Sequence, residues 1–280
     1  MPQPETPAPD PAPGVITLGR AGKKTTIGGR TRVIVPLTGD AASLRSQVAA
    51  LASSRADIAE WRADTFLASL VGSHFVAAAD IQSELTSAAR YVTDASPVPV
   101  LATIRTFVEG GHAYLDDEEY CALVRCLAPL VGAVDVEISR DGAASLIEDA
   151  HGAGALAVAS FHDFEATPSD EVLAEVLAAM NHAGADVLKF ACTATSATDA
   201  ARVLAAQAWA REAYDRPIIG IAMGPAGAPT RLVGSALGSS ATFACLPDWA
   251  GSAPGQFTVE QARAVLDVVE RAGLGARGAE

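Results

Sequence analysis

The sequence predicts an α/β protein whose fold class is a (β/α)8 TIM barrel with an N-terminal β-hairpin. Eight short runs of β-type composition recur along the chain, separated by Ala-, Leu-, Glu- and Arg-rich stretches with helical spacing. Strands that alternate with helices form a parallel sheet, and a region from about 15 to 272 is close to the ~250 residues typical of the closed form. The alternative, an open doubly wound sheet, usually carries a Gly-rich first turn, and VIVPLTGDAAS at the first run lacks GxGxxG.

The N-terminal segment, MPQPETPAPDPAPG, is rich in proline and lacks both the basic region and the apolar region of a signal peptide. We therefore expect a disordered, extended tail over residues 1–14 and a single (β/α)8 domain over 15–280. The next stretch, VITLGRAGKKTTIGG, alternates apolar and polar residues around a Gly-containing turn, which predicts the hairpin. Its GRAGKKTT portion does not have the glycine spacing of a phosphate-binding loop.

The barrel strands are expected at eight runs that begin at residue 33. They are VIVPL (33–37), ADIAEWRAD (56–64), VPVLATIR (98–105), AVDVEIS (133–139), LAVASFH (156–162), DVLKFAC (186–192), PIIGIAM (217–223) and SATFACL (240–246). Helix signals fall between them: Ser169 after Pro168 is a helix start followed by acidic residues, and Gly184 is a helix stop.

Composition excludes several classes of partner. The net charge of −13 argues against nucleic acid and anionic membrane surfaces, which need basic patches. No segment approaches ~18 uninterrupted apolar residues, so no membrane span is expected. The four cysteines lie in apolar contexts without CxxC spacing, which predicts reduced thiols and a cytoplasmic location; they are Cys121, Cys126, Cys192 and Cys245.

Polar residues at strand ends are the candidate site residues, because TIM-barrel active sites lie at the carboxyl ends of the strands. On the second run, Glu60 and Arg62 share a face that either lines a polar pocket or forms an internal Glu–Arg pair. The third run ends at Arg105, and the glycine pair that follows Glu109 would let this carboxylate fold back over the barrel mouth. The fifth run ends at His162, which is either structural or catalytic.

Lys189 is the most informative candidate. It is one of three lysines in the chain, and its neighbours in DVLKFAC are apolar or small. A buried salt bridge is one interpretation, and it costs several kcal/mol per ion in desolvation. In the other, desolvation lowers the pKa of the amine, which is then free to attack a carbonyl and form a Schiff base while His162 moves protons.

Two later loops supply candidates for binding a carboxylate. A Gly/Pro-rich loop, MGPAGAPTRLVG, leads into Arg231 after the seventh run, and GSAPGQ places Ser252 and Gln256 after the eighth. An arginine beside Ser and Gln near a helix N-terminus is well suited to a carboxylate.

With these motifs in this order, the chain resembles the type I 3-dehydroquinate dehydratases of the shikimate pathway over about 31 to 272. The motifs are ADIAEWRAD, TIRTFVEGG, VDVEIS, SFHDFEATPS, ADVLKFA, MGPAG…TRLVG, GSSATFA and SAPGQ. The resemblance implies a (β/α)8 homodimer without metal or organic cofactor that converts 3-dehydroquinate to 3-dehydroshikimate and water.

The resemblance also implies residue roles. Lys189 corresponds to the Schiff-base lysine, His162 to the proton-transfer base and acid, and Glu109 to the carboxylate that positions this histidine. The substrate-binding groups fall in two sets, one for the ring hydroxyls and polar rim and one for the substrate carboxylate and the lid. The first set is Glu60, Arg62 and Arg105, and the second is Arg231, Ser252 and Gln256.

The chain departs from the family pattern at the pocket edge. Many members carry a lysine or another long polar residue where this loop reads Met223 to Gly227, and some carry a serine where this chain has Pro36. Both departures bear on substrate affinity and loop closure.

Two other functions are compatible with parts of the pattern. A class I aldolase would share Lys189 but not the constellation of His162, Glu109 and SAPGQ, and an assay of dehydroquinate dehydration separates the two. A non-catalytic barrel that senses a metabolite would be expected to have lost Lys189 or His162, and both are present. The sequence does not distinguish a biosynthetic role from one in quinate breakdown, because the chemistry is the same.

Overall fold

The structure, a computed structural model, describes residues 14–20, 22–73, 78–249, 251 and 255–277. The predicted tail lies outside these residues except for Gly14, which is buried.

Eleven strands form two sheets in the described part of the chain. They are β1 (Ile16–Arg20), β2 (Lys23–Ile27), β3 (Arg32–Leu37), β4 (Ile58–Arg62), β5 (Val100–Thr103), β6 (Ala133–Glu137), β7 (Leu156–Asp163), β8 (Val187–Thr193), β9 (Ile218–Met223), β10 (Ala241–Cys245) and β11 (Phe257–Thr258). The eight predicted runs become β3 to β10 in sequence order, which confirms the strand assignment.

These eight strands form a closed parallel barrel. Hydrogen-bonded pairing runs from β3 to β9 in chain order, and β10 pairs with β3. A single parallel bridge between Ile218 and Ser239 joins the start of β9 to the approach to β10, and the Ser240 amide donates to the Ile218 carbonyl at 2.8 Å. Parallel strands place their carboxyl ends at one edge, so every candidate residue at a strand end is brought to the same mouth.

Nine helices in the described residues connect the strands. They are α1 (Ala41–Leu51), α2 (Ala63–Ser73), α3 (Ala78–Ala95), α4 (Asp117–Leu127), α5 (Ala143–Gly152), α6 (Asp170–His182), α7 (Ala197–Ala213), α8 (Thr230–Val233) and α9 (Val259–Arg277). The simple alternation predicted from sequence is modified twice: two helices follow β4, and α8 is a four-residue helix.

Local sequence sets several helix ends. The Ser169 side chain accepts from the Val172 amide and begins α6, as predicted. Gly184, just beyond the end of α6, has φ +80°, a left-handed conformation that glycine adopts without a Cβ penalty. Asp116 and Ser196 form capping boxes with Glu119 and Asp199, which fix the starts of α4 and α7.

The predicted hairpin, β1 and β2, closes the amino-terminal end of the barrel. Leu18 and Ile27 are buried in the same apolar cluster as inward-facing strand residues such as Ile58 and Val187. Lys23 Nζ donates to the carbonyls of residues 93 and 94 at 2.9 and 2.7 Å, so this lysine attaches the hairpin to the last turn of α3. The interior of the barrel at this end is therefore lined by apolar side chains.

Candidate active site

A pocket at the carboxyl-terminal mouth of the barrel encloses about 510 Å³, including the part open to solvent. Of the nine residues predicted from sequence, eight line it: Glu60, Arg62, Arg105, Glu109, His162, Lys189, Arg231 and Gln256. The ninth, Ser252, lies outside the described residues. The pocket contains four cationic side chains and a histidine around an apolar wall formed partly by Ile221 and Phe243, which suits a small polar anion.

Lys189 occupies the floor of this pocket and is 4% exposed. Its Nζ lies 3.1 Å from Asp135 Oδ2 and 3.6 Å from Glu60 Oε1, and 4.9 Å from the centre of the Phe243 ring. Two carboxylates therefore lie within 4 Å of the buried amine, so the neighbours of Lys189 are not all apolar as they are in the linear sequence. The buried salt bridge, one of the two interpretations of the sequence, is present at Lys189.

Asp135 is fully buried on β6 and connects Lys189 to Arg105. Burial raises the pKa of its carboxyl, but the charges of Arg105 and Lys189 and a hydrogen bond from Ser160 outweigh burial, and the net effect is a lowered pKa. Asp135 is therefore ionised at neutral pH, and a permanent negative charge lies beside the lysine.

Arg105 is the centre of the buried polar network. Its Nη2 donates to Asp135 Oδ1 at 2.6 Å, and its Nη1 lies 3.0 Å from both Glu137 Oε1 and Ser160 Oγ and 3.2 Å from Glu109 Oε2. The guanidinium is thus committed mainly to protein acceptors. Its geometry favours a role in holding the carboxylates of the site, in addition to the rim contact that the sequence suggested.

His162 projects from the end of β7 and contacts Glu109, with 2.9 Å between Nδ1 and Oε2. Burial, reinforced by the charges of Arg105, Lys189 and Arg62, holds the pKa of His162 well below its usual range, so the imidazole is neutral at pH 7. Burial also raises the pKa of Glu109 to about 7, with Arg105 opposing the rise. A neutral histidine oriented by a carboxylate is the arrangement of a general base.

The turn that carries Glu109 folds back as predicted. Residues Phe107–Glu109 form a 3-10 turn that ends at Gly110, whose φ is +77°. A Cβ at residue 110 would lie 2.3 Å from the Phe164 ring, so glycine is needed for both the backbone angle and the close approach. Phe164 in turn stacks on the His162 ring at a centroid distance of 6.5 Å.

Arg62 is paired within its own segment. Its Nε and Nη2 both donate to Asp64 at 2.8 Å, and Asp64 also accepts from the His112 amide at 3.2 Å. The internal Glu–Arg pair that sequence analysis considered is therefore wrong in its partner, since the acid is Asp64. Glu60 instead accepts from Thr103 Oγ1 at 2.9 Å and faces the pocket.

Arg231 and Gln256 lie on the wall of the pocket, with Met223 among the neighbouring lining residues. Arg231 is 4% exposed, and burial lowers the pKa of its guanidinium to about 10. The first of the two departures, at Met223, thus affects the pocket wall directly. Pro36 is buried in β3, where it pairs in register with Glu60.

Sequence reasoning missed Asp135 and Glu137 as site residues. Both are fully buried on β6, and Glu137 accepts from the Thr106 amide at 2.8 Å and from its hydroxyl at 2.7 Å. The available signal was the alternation of two acids in the otherwise apolar run AVDVEIS, which places both on the inward face.

No group of three or more His, Cys, Asp or Glu in the described ranges is arranged to hold a metal ion. Within the same ranges, no helix has both the length and the apolar character needed to cross a membrane.

Comparison with known proteins gives consistent results. Residues 33–272 match the family model described as type I 3-dehydroquinase. A 3-dehydroquinate dehydratase from Klebsiella pneumoniae (strain 342) is 34% identical over 247 residues, which are 86% of this chain and 94% of that protein. The crystal structure of 3-dehydroquinate dehydratase from Geobacillus kaustophilus HTA426 is 29% identical with a TM-score of 0.82, and the match covers 92% of this chain and 97% of that one. The type I enzyme from Clostridium difficile is 30% identical with a TM-score of 0.77, covering 92% and 98%.

Proposed function

This chain belongs to the type I 3-dehydroquinase family, an enzyme family of 3-dehydroquinate dehydratases, and we propose that it dehydrates 3-dehydroquinate through a Schiff base on Lys189. The product would be 3-dehydroshikimate, an intermediate of the shikimate pathway. The observation that carries the proposal is the buried Lys189 amine on the pocket floor, with a neutral histidine on the adjacent strand.

The first step is attack of the Lys189 amine on the substrate ketone, with loss of water, to give a protonated imine. The carboxylates of Asp135 and Glu60, at 3.1 and 3.6 Å from Nζ, stabilise the positive charge on that nitrogen. The carbon next to the imine becomes acidic because the electron pair released by deprotonation flows to the nitrogen. The two carboxylates therefore stabilise the protonated imine once it has formed. The attacking form is the neutral amine, so an ammonium at Nζ must first lose a proton.

His162 takes the proton from that carbon in the second step. Its Nδ1 is held by Glu109, so Nε2 is the nitrogen left to act as base. The resulting enamine expels the hydroxyl group β to the imine, and the imidazolium returns its proton to the departing oxygen. Water then hydrolyses the product imine and restores the Lys189 amine.

Substrate binding uses the remaining pocket residues. We assign Arg231 and Gln256, together with Ser252, to the substrate carboxylate and the lid, and Glu60, Arg62 and Arg105 to the ring hydroxyls and the rim. Burial of Arg231 strengthens its attraction for a carboxylate, because less solvent screens the charge.

Borohydride reduction in the presence of 3-dehydroquinate tests the Schiff base. We expect a stable adduct that peptide mass mapping places on Lys189. Lys189→Ala should lose both the adduct and turnover, and Lys189→Arg, which keeps the positive charge but not the nucleophile, should lose them as well and keep a wild-type melting temperature. An adduct on Lys23 or Lys24, or turnover retained by both variants, would overturn the assignment.

The proposal extends to assembly and location. Residues 15–280 are proposed to form the single catalytic domain, active as a homodimer in the cytoplasm. All four cysteines lie in the described residues and are free thiols, which supports a reducing compartment. Light scattering of the purified protein measures the oligomeric state, and a monomer at assay concentration would contradict the dimer.

A further inference from the structure

A hydroxyl in the turn after β6 contacts the carboxylate of Glu109, which faces His162. Ser139 Oγ donates to Glu109 Oε1 at 2.5 Å, while Glu109 Oε2 faces His162 Nδ1 at 2.9 Å. The two oxygens of one carboxylate are thus assigned to two different partners. Residue 139 is itself exposed, whereas Glu109 is 4% exposed.

The position of Ser139 is set by the turn that leaves β6. The Ile138 amide donates to the Ser160 carbonyl at 2.9 Å, and the Arg140 amide donates to the Glu137 carbonyl at 3.2 Å. The side chain of Arg140 connects the end of this turn to the segment before α4, because its Nη2 donates to the carbonyl of residue 115 at 2.9 Å. Anchors on both sides hold the hydroxyl against Glu109.

The state of Glu109 decides which nitrogen of His162 carries the hydrogen. An ionised carboxylate only accepts, so it requires a hydrogen on Nδ1 and leaves the lone pair of Nε2 free to take a proton. A protonated Glu109 can donate to Nδ1 instead, which places the ring hydrogen on Nε2 and removes the base. Only the ionised form therefore supports proton abstraction.

The groups around Glu109 act in opposite directions. Burial raises the pKa of its carboxyl to about 7, Arg105 and the Ser139 hydrogen bond lower it, and Glu137 and Asp135 raise it further. His162, from β7, also faces this carboxyl. Because the pKa lies near neutrality, a single hydrogen bond changes the ionised fraction substantially at physiological pH.

We propose that Ser139 is a positioning residue: its hydroxyl keeps the Glu109 carboxylate ionised and oriented, and so keeps His162 in the tautomer that accepts a proton at Nε2. The inference rests on the proposed role of His162 as the base. It adds a residue that touches neither substrate nor the reacting atoms and that acts through Glu109.

The test is the pH profile of kcat/KM for Ser139→Ala, which reports groups of the free enzyme. Glu109 must be ionised, so activity falls as pH drops through its pKa, and loss of a hydrogen bond to the ionised form moves this acid limb to higher pH. We expect a shift of about one pH unit, which gives a roughly tenfold lower value at pH 6 and a value within about twofold of wild type at pH 9.5.

Three further variants make the result specific. Ser139→Thr keeps the hydroxyl and should restore the wild-type profile, and Ser139→Cys, a weaker donor, should lie between. Ser145→Ala, an exposed serine on α5, is the matched control and should match wild type. Superimposable profiles for wild type and Ser139→Ala, as when water replaces the hydroxyl, would overturn the proposal, and so would an equal loss at every pH.

Borohydride trapping distinguishes a failure of the Ser139 proposal from a failure of the proposed Schiff base on Lys189. If the adduct maps to Lys189 in wild type and in Ser139→Ala but their profiles coincide, the role of Ser139 is wrong and the Schiff base stands. If wild type itself gives no adduct on Lys189, the proposed function fails.

Discussion

Replacing Asp135 with asparagine removes one charge from the centre of the site with almost no change in volume. Asp135 is fully buried, accepts from Arg105 and Ser160 at 2.6 Å, and lies 3.1 Å from Lys189 Nζ. The amide oxygen of asparagine can still accept one of these hydrogen bonds. The substitution therefore tests the charge more than the shape.

The expected cost has a structural and a chemical part. Breaking a buried ion pair by removing one partner typically costs ~3–5 kcal/mol, and the value here should fall near ~3 kcal/mol because Glu137, Glu109 and Glu60 still face the two cations. For a domain of this size, that corresponds to a drop of roughly 6–12 °C in melting temperature. Loss of a similar amount of stabilisation for the positively charged imine would lower turnover about 10²-fold.

The contribution of Asp135 to the stability of the fold should depend on pH. The pKa of Asp135 is lowered in the folded state, so its contribution to stability is present above the unfolded value of about 3.9 and is lost as pH falls through the folded value. The difference in melting temperature between wild type and Asp135→Asn should therefore be largest near pH 7 and shrink in acid.

Thermal melts across pH, steady-state rates per folded molecule and borohydride trapping measure these effects together. Asp149→Asn is the matched control: Asp149 accepts from Arg125 at 2.6 Å, but both side chains are more than two-fifths exposed, so solvent screens the pair and little change is expected. Turnover of Asp135→Asn within threefold of wild type, with an unchanged melt, would refute the reasoning.

Three other outcomes follow from the site. His162→Ala should lose at least ~10²-fold in turnover and accumulate an adduct on Lys189 visible by intact mass, whereas near-normal turnover with a much lower melting temperature would make the histidine structural. Arg231→Lys should raise KM sharply, because a point charge does not replace a two-point contact to a carboxylate, and an unchanged KM would contradict that role. Gly110→Ala should destabilise the fold by about 1–2 kcal/mol and displace the ring of Phe164, since φ is +77° and the new Cβ would lie 2.3 Å from that ring; an unaltered melt and rate would contradict this.

Much of the fold could be predicted because its signals are local. Each barrel strand is a short apolar run bounded by turn residues, and the helix start at Ser169 depends on a side chain three residues from the amide that it caps. The second helix after β4 and the very short α8 were not predicted, because helix number and length between strands depend on how the outer layer packs. Eight of nine predicted site residues meet in one pocket because the parallel sheet aligns strand ends that the sequence had already marked.

The sequence by itself determined that a solitary lysine lies within a strand and that a histidine ends the strand before it. Only the tertiary structure decided what surrounds them. Lys189 contacts Asp135 across 54 positions of sequence, and His162 contacts Glu109 across 53. Periodicity shows which face of a strand a residue occupies, but the distance between charges on different strands depends on barrel closure and register. Since charge interactions depend on that distance, the protonation of the site is a property of the assembled barrel.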